Sequence, residues 1–237
     1  MATYDYTSMG FYTFDCLGWP FTAVADGGGC NFIDEFTLAV SGAGGVAAIA
    51  AAKMGLKTLA VTGLGDDPMG DWVMQRLQHF GVDTSIVQRE PGWKTSSSIV
   101  TTRADGSRPA LHMKGATGNF YVTDEMLPKA IDCKVFHAGG VGLMDAMDRG
   151  RCGEVMKAAK AAGVITTADV FAGSPKDMPA VANILPYTDY FMPSIEEAQA
   201  LCGLTDYADT AKFFFDMGVK ACVLTLGAEG AYYHDRD

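Results

Sequence analysis

The feature that most constrains this chain is a regular alternation of two periodicities from about residue 44 onward. Short apolar runs at 58–62, 135–138, 164–168, 190–192 and 221–226 alternate with helical patterns at 44–54, 70–80, 152–162, 194–202 and 208–217, most of them followed by glycine. Apolar strands alternating with short helices predict βαβ units, in which a parallel sheet is buried between helices. The sequence therefore predicts one α/β domain over residues 1–237, with a mostly parallel central sheet covered by helices on both faces.

Two stretches interrupt this alternation, because neither 21–40 nor 95–113 contains a convincing helical pattern. The second alternates β-branched residues at 97–102 and apolar residues at 109–113 around an Asp105-Gly106 turn, which predicts a hairpin. We expect segments at about 16–40 and 95–114 to pair into a small β-sheet over one edge of the domain. Such a sheet can close an active site or form a dimer contact, and two surface hairpins without function remain the alternative.

Composition excludes several classes of protein. The chain of 237 residues carries 18 Lys+Arg against 28 Asp+Glu, a net charge of −10, which argues against binding the nucleic-acid backbone. Its most apolar helical run, 46–52, is far shorter than the roughly 20 residues that cross a bilayer. No secretory signal is visible at the N-terminus, and the six cysteines are scattered without a metal-binding spacing. We expect a cytoplasmic protein with reduced thiols and no membrane partner.

A glycine-rich segment at 41–47 follows an apolar run and opens an alanine-rich helix. Glycines there expose backbone N–H groups that, with the helix dipole, favour an anion or a hydroxyl oxygen. The pattern Gly42-x-Gly44-x-x-Ala47 also fits a dinucleotide-binding turn, with Asp66 as the ribose-binding acid. An NAD(P)-dependent oxidoreductase is therefore one alternative, and close packing of a helix on a sheet is another.

Three further positions have both a structural and a functional interpretation. Asp15 is expected just past the first strand, where it serves a turn or binds two hydroxyls of a ligand. Ser194 and Glu197 form a capping box, and Glu197 can also face a metal-bound phosphate. The turn after Thr225 either admits a phosphate chain or forms a hairpin through 231–233. By contrast, Asp67 and Pro68 are sufficiently explained as a helix start, and His137 as a structural histidine.

Taken in order, these segments resemble the ribokinase-like (PfkB) family of carbohydrate kinases. The resemblance is carried by Gly10-x4-Asp15, the glycine block 42–55, Gly63-Leu64-Gly65-Asp66-Asp67-x-x-Gly70, the segment 191–198 and the segment 223–230. It spans essentially the whole chain, and the collinear set is far more specific than any single motif. It implies a three-layer α/β/α fold, a small β-sheet lid that also builds a dimer in many members, and ATP-dependent phosphorylation of a hydroxymethyl group on a sugar or nucleoside-like substrate.

The resemblance also implies roles for individual residues, with ATP and Mg²⁺ as cofactors. The substrate-binding positions would be Asp15, Gly42, Gly44, Gly45 and Asp169; the nucleotide-binding positions would be Ser194, Glu197, Thr225, Gly227 and Gly230, with Glu197 near the metal.

Some positions depart from the family pattern. Val46 stands where many sugar kinases carry Asn, and Ser194 replaces the usual Asn of the Asn-x-x-Glu motif. The segment Asp169-Val170-Phe171-Ala172-Gly173 lacks the arginine of the Asp-x-Asn-x-Arg pattern found in kinases of fructose and 2-keto sugar acids. Since arginine is the natural partner of a carboxylate, we expect a neutral substrate.

The family's Gly-Ala-Gly-Asp segment, which supplies the aspartate that takes the hydroxyl proton, would lie beyond Asp237. We therefore expect no catalytic base within 1–237, a C-terminally incomplete kinase, and negligible turnover from this polypeptide. A coupled assay of ATP-dependent sugar phosphorylation by purified 1–237 tests this, and measurable turnover would contradict it. Sugar binding without phosphorylation, in a chain proven to end at Asp237, would instead favour a non-catalytic sugar-binding module.

Overall fold

A computed structural model describes residues 2–235. Within them the strands are β1 Tyr4–Gly10, β2 Thr13–Trp19, β3 Glu35–Ser41, β4 Thr58–Val61, β5 Gly63–Gly65, β6 Gln88–Glu90, β7 Ser97–Thr101, β8 Ala110–Met113, β9 Cys133–Val141, β10 Ile165–Val170, β11 Tyr190–Phe191, β12 Ala221–Thr225 and β13 Ala231–His234. The α-helices are α1 Ala43–Lys53, α2 Pro68–His79, α3 Leu127–Ala130, α4 Asp145–Asp148, α5 Arg151–Ala161, α6 Met178–Ile184, α7 Ile195–Cys202 and α8 Tyr207–Asp216.

The central sheet has seven strands in the order β13-β12-β11-β10-β9-β1-β4. All neighbours are parallel except β13, which runs antiparallel to β12. Leu59 and Val61 belong to one hydrophobic core, whereas Ala60 between them belongs to a second. Because successive side chains of a strand point to opposite faces, the two cores lie on opposite sides of the sheet. The predicted α/β architecture is confirmed.

The interrupting segments form a separate four-stranded sheet in the order β3-β2-β7-β8. The predicted hairpin is confirmed as the antiparallel pair β7–β8. The expected place of Asp15 was wrong, because Asp15 lies inside β2 of this small sheet, opposite Ala39 and Ser98. Only Phe11 and Tyr12 separate β1 from β2, and the sequence pattern carries no turn signal there.

Three glycines bring helix α1 onto the carboxyl ends of β1 and β9. A Cβ atom on Gly10 would lie 2.3 Å from the carbonyl oxygen of Gly139, and one on Gly139 would lie 2.7 Å from the amide nitrogen of Gly44. The Ser8 hydroxyl donates a 2.8 Å hydrogen bond to the Gly44 carbonyl and secures the same contact. Helix α1 therefore begins directly over the two strand ends.

The structure also bears on the predicted environment of the chain. No helix within residues 2–235 is long and apolar enough to cross a membrane. All six cysteines lie in this part of the chain and are free thiols, three of them buried.

The glycine contact gives a stability prediction. Gly10→Ala should lower the free energy of unfolding by about 3 kcal/mol, because the added methyl group meets backbone atoms that cannot rotate away. Gly173→Ala is the control, since a Cβ there would have no neighbour within 4 Å among residues 2–235, and it should change stability by less than about 0.5 kcal/mol. Urea unfolding of both variants measures the difference, and equal effects would contradict the proposed clash.

Candidate functional site

A cavity of about 480 Å³ lies where the small sheet faces the start of α1 and the segments that follow β1, β9 and β10. We call it the central cavity. The register of the small sheet decides which side chains reach it, because cross-strand neighbours share a face. Asp15, Ser98 and His112 are such neighbours and line the cavity. The opposite face of the same sheet carries exposed apolar side chains, among them Leu38, Ile99 and Leu111.

Asp15 is the most distinctive polar group of the central cavity. It is only 7% exposed, and its Oδ1 atom is buried without a hydrogen-bond partner within the described residues. A buried carboxylate oxygen without a partner costs free energy unless a donor reaches it. Asp15 therefore has capacity to accept a hydrogen bond from a ligand hydroxyl.

His112 and Arg108 also line the central cavity, and the sequence analysis did not select either of them. The Nδ1 atom of His112 lies 3.1 Å from the Ser98 hydroxyl. Partial burial lowers the pKa of His112, and the negative charge of Asp15 opposes that shift. The predicted hairpin already contained His112, but the sequence did not give the register between β7 and β8. That register places His112 opposite Ser98 and so on the face that lines the cavity.

The three glycines at the start of α1 lie in two different environments. Gly42 lines the central cavity and has a φ of 80°, where a Cβ would lie 2.5 Å from the Phe11 carbonyl oxygen. Gly44 and Gly45 are buried, and added Cβ atoms would meet the Tyr12 ring at 2.8 and 3.3 Å. Close packing, one of the interpretations left open, therefore accounts for Gly44 and Gly45. Backbone contact of all three glycines with a substrate stays a prediction.

A pair of carboxylates lies at the carboxyl edge of the central sheet, near the end of β10 and the start of α7. Asp169 accepts a short hydrogen bond from the amide of Gly140. Burial, assisted by the negative charge of Glu197, raises the pKa of Asp169 to about 7. Asp169 and Glu197 are thus close enough to repel one another.

The predicted capping box at the start of α7 is confirmed. The Ser194 hydroxyl oxygen accepts a 3.2 Å hydrogen bond from the Glu197 amide, and the Ser194 amide donates a 3.3 Å hydrogen bond to Oε2 of Glu197. The Thr225 amide donates to the Pro193 carbonyl at 3.1 Å, so the end of β12 lies beside this helix start. Ser194, Glu197 and Thr225 therefore come together.

The turn between β12 and β13 contains the two remaining predicted glycines. Gly227 and Gly230 have φ values of 58° and 102°, and a Cβ atom on either would have no neighbour within 4 Å among the described residues. The predicted hairpin through 231–233 is confirmed by the antiparallel pairing of β12 with β13. The backbone of this turn is therefore open to a ligand.

The residues at this edge are compatible with a nucleotide and Mg²⁺. No group of three or more His, Cys, Asp or Glu side chains within residues 2–235 forms a metal cage. Mg²⁺ commonly uses only one or two carboxylates and takes its other ligands from phosphates and water. Two mutually repelling carboxylates, Asp169 and Glu197, beside an open glycine turn fit that kind of site, because a cation would relieve their repulsion.

The geometry is inconsistent with the dinucleotide-binding alternative. In that motif the glycine turn follows a strand of the central parallel sheet. Here it follows β3, an edge strand of the small sheet. Asp66, the expected ribose-binding acid, is an exposed residue that lies 3.5 Å from Arg89.

Asp169 gives a pH prediction. Its pKa is about 7 in the folded chain against an ordinary value of 3.8, so the folded state holds a proton that the unfolded state has lost. Its contribution makes the free energy of unfolding fall as pH rises from about 4 to about 7. Asp169→Asn should therefore stabilise the protein more at pH 8 than at pH 5, measured by urea unfolding.

Glu197→Gln should lower the pKa of Asp169 in a ¹³C NMR titration, and an unchanged pKa would contradict the proximity of Asp169 and Glu197.

Comparison with known proteins gives consistent results. The sequence profile of the pfkB family of carbohydrate kinases matches residues 29–237. The chain is 28% identical over 198 residues to a ribokinase of Staphylococcus aureus, covering 81% of this chain and 62% of that protein. It is 27% identical over 210 residues to fructokinase-2 of Solanum lycopersicum, covering 85% and 64% of the two chains. The chain thus spans a little under two thirds of these relatives.

Solved structures agree on the fold. Arabidopsis thaliana ribokinase, determined with ribose and ATP, superposes with a TM-score of 0.83 at 20% identity, covering 100% of this chain and 76% of that one. A PfkB protein from Polaromonas superposes with a TM-score of 0.82 at 23% identity, covering 99% and 80%. With most of its length matched by the family profile and its fold shared with ribokinase, the chain belongs to the pfkB family of carbohydrate kinases.

Proposed function

We propose that this chain supplies the substrate-binding and nucleotide-binding parts of an ATP-dependent kinase that phosphorylates a hydroxymethyl group of a sugar or sugar-like substrate. The observation that carries the proposal is the buried carboxylate of Asp15, whose Oδ1 atom faces no donor within the described residues. Such a group is suited to hold two neighbouring hydroxyls of a polyol. Family membership and the names of the relatives support the same reaction class.

On the substrate side, Asp15 accepts hydrogen bonds from hydroxyls, and Gly42 brings backbone to the ligand. Gly44 and Gly45 set the depth of the cavity by packing α1 against Tyr12. Asp169, whose carboxyl group accepts a hydrogen bond from the Gly140 amide, is a further substrate-binding group in this proposal. The small sheet acts as a lid, because Ser98 and His112 line the cavity from its inner face. Closure would exclude water from the transferring phosphoryl group.

On the nucleotide side, Ser194 and Thr225 bind the phosphate chain. Gly227 and Gly230 have no side chains, so the phosphates can approach the backbone of the turn. Glu197 would hold Mg²⁺, and the ion would supply neutralisation of the phosphate charge. Positioning and charge neutralisation supply most of the catalysis in such reactions. We assign no residue of the chain as the proton acceptor, since the family pattern gives that role to its Gly-Ala-Gly-Asp aspartate.

The environment and assembly are proposed on the same basis. A cytoplasmic location agrees with the six free cysteines. The outer face of the small sheet, with Phe36, Ile99 and Leu111 at 65%, 56% and 73% exposed, supports a homodimer formed through the lid.

The expectation of a neutral substrate rested on a missing arginine in 169–173. Arg108 reaches the central cavity from the lid, so an arginine is nevertheless available there.

The role of Asp15 can be tested by binding. Asp15→Asn should weaken binding of the preferred sugar on the order of 100-fold, because asparagine lacks the charge and one of the two acceptor oxygens of the carboxylate. Isothermal titration with D-ribose and D-fructose measures this. Asp34→Asn, in an exposed loop of the same part of the chain, is the control and should bind normally. Unchanged affinity in Asp15→Asn would place the sugar elsewhere.

The role of Glu197 can be tested with nucleotide. Glu197→Gln should remove most of the difference in ADP affinity between Mg²⁺ and EDTA, whereas Glu196→Gln should preserve it. Glutamine at the third helical position still supports a capping box, so the variant retains the helix start. Thermal shift with ADP in both buffers measures the effect. A Mg²⁺ dependence that survives Glu197→Gln would exclude this carboxylate as the metal ligand.

A further inference from the structure

A second cavity, of about 220 Å³, lies between strand β3 and helices α1 and α2. We call it the basic cavity, because Lys53 at the end of α1 and Arg76 of α2 both line it. Its other walls include residues 38–40 of β3 and the aromatic side chains of Trp72 and Phe80. Among the described residues it has no lining residue in common with the central cavity, so the two cavities are separate.

The two positive groups of the basic cavity converge on one aromatic ring. The Nζ atom of Lys53 lies 4.8 Å from the centroid of the Phe80 ring, and the guanidinium carbon of Arg76 lies 5.0 Å from the same centroid. A ring face attracts a cation but carries no net charge, so the repulsion between the two cations remains. Within residues 2–235, neither Lys53 nor Arg76 forms an ion pair with a carboxylate.

A second ring in the same protein shows how such a pair of cations is otherwise balanced. Lys57 and Lys129 lie over the ring of Tyr4, at 5.2 and 5.9 Å from its centroid. There Asp83 lies 3.8 Å from the Lys129 Nζ atom and accepts a hydrogen bond from the Tyr4 hydroxyl. The pair at Phe80 has no such carboxylate in the part of the chain that the structure describes. Its two positive charges are therefore available to an anion from outside this part of the chain.

Strand β3 adds backbone donors to the basic cavity. Successive side chains of a strand point to opposite faces, so a cavity lined by three consecutive residues, 38–40, runs along the edge of the strand. Strand β3 is an edge strand, paired with β2 on its other side. In an antiparallel pair the amide groups point alternately toward the partner strand and away from it. At least one of these three amides therefore points away from β2, on the side of the cavity.

The size and the donors of the basic cavity restrict the ligand. Its volume is below the roughly 300–1,000 Å³ of pockets that enclose drug-sized ligands, which makes it too small for a nucleotide. Two cations match a ligand with two negative charges at one end. A phosphate group has these charges, and its oxygens accept paired hydrogen bonds from a guanidinium and single ones from an ammonium or an amide.

We propose that the basic cavity binds the phosphate dianion of a small compound, either inorganic phosphate or a phosphate monoester of a few carbon atoms. Arg76 donates paired hydrogen bonds to the phosphate oxygens, Lys53 supplies the second positive charge, and the edge of β3 supplies an amide. This site is independent of the proposed function, because no residue of the central cavity and no residue of the turn after β12 takes part in it.

The test follows two local NMR signals of the purified protein, the indole N–H of Trp72 and the Nε–H of Arg76. Sodium phosphate and methyl phosphate are added at constant ionic strength and about pH 8, where both are largely dianions. Each probe should shift both signals to saturation and leave the indole N–H of Trp93, outside the basic cavity, unchanged. A response to both probes indicates a monoester site, and a response to phosphate alone indicates a site for the free ion. Phosphate bound at the turn after β12 would not produce these shifts.

Matched variants locate the charges that hold the ligand. Lys53→Gln and Arg76→Gln should each weaken phosphate binding about tenfold, since each removes a charge-assisted contact. Lys57→Gln, at a lysine that also lies over an aromatic ring but outside the basic cavity, should bind phosphate normally. Thermal unfolding without phosphate checks that the variants are folded.

Two results would overturn this inference and leave the proposed function standing. The first is the absence of a saturable shift in the unsubstituted protein at phosphate concentrations up to tens of millimolar, which does not depend on the folding of any variant. The second is unchanged phosphate affinity in Lys53→Gln and Arg76→Gln together with a loss of dimer in sedimentation velocity. In that case the two cations would pair with carboxylates of a second copy of the chain.

Discussion

The close approach of three glycine backbones, at Gly10, Gly44 and Gly139, is the contact on which the rest of the site depends. No side chain other than hydrogen fits between the end of β1, the end of β9 and the start of α1. The approach brings the first turn of α1 to the sheet edge where ligands of open α/β sheets bind. The same approach places Gly42 against Phe11 and so shapes one wall of the central cavity. Backbone proximity, rather than any single polar contact, therefore creates the site.

The capping box at the start of α7 also affects the pKa of a carboxyl group in the site. The Ser194–Glu197 capping box would stabilise α7 in any context, because it satisfies amide groups that have no partner within the helix. In this fold it also holds the Glu197 carboxylate near Asp169, where its charge adds to the effect of burial in raising the Asp169 pKa. Ionising both carboxyl groups at this sheet edge therefore costs stability, and a cation bound there would offset that cost.

The sequence predictions that were confirmed concern interactions between residues close together in the chain, and those that were wrong or missing concern contacts between distant segments. The Asp67 N-cap, with its 2.8 Å hydrogen bond from Gly70, and the Asp105-Gly106 hairpin depend on residues a few positions apart. Helix ends at Gly55, Gly163 and Gly203 were predicted on the same basis and occur within one or two residues of the expected positions. Asp15 was assigned to the wrong structural setting, because the passage of the chain from one sheet to another after Gly10 has no local signal. Phe171 was noted only as part of a departure from an arginine pattern, since its edge-to-face contact with Phe11 joins segments far apart in the chain.

The sequence by itself determined the α/β class, the ends of five of the helices to within two residues, the existence of a small β-rich excursion and, through the order of its motifs, the kinase family. The first three depend on periodicity, capping or turn residues within short stretches of chain, whereas the family follows from the resemblance of the collinear motifs. Only the tertiary structure decided the strand order of the small sheet and the place of Asp15 within it, that Asp15 and His112 share its inner face, and that Phe11 meets Phe171. These outcomes depend on strand register and on packing between segments widely separated in sequence, where a shift of one residue would turn every side chain to the opposite face.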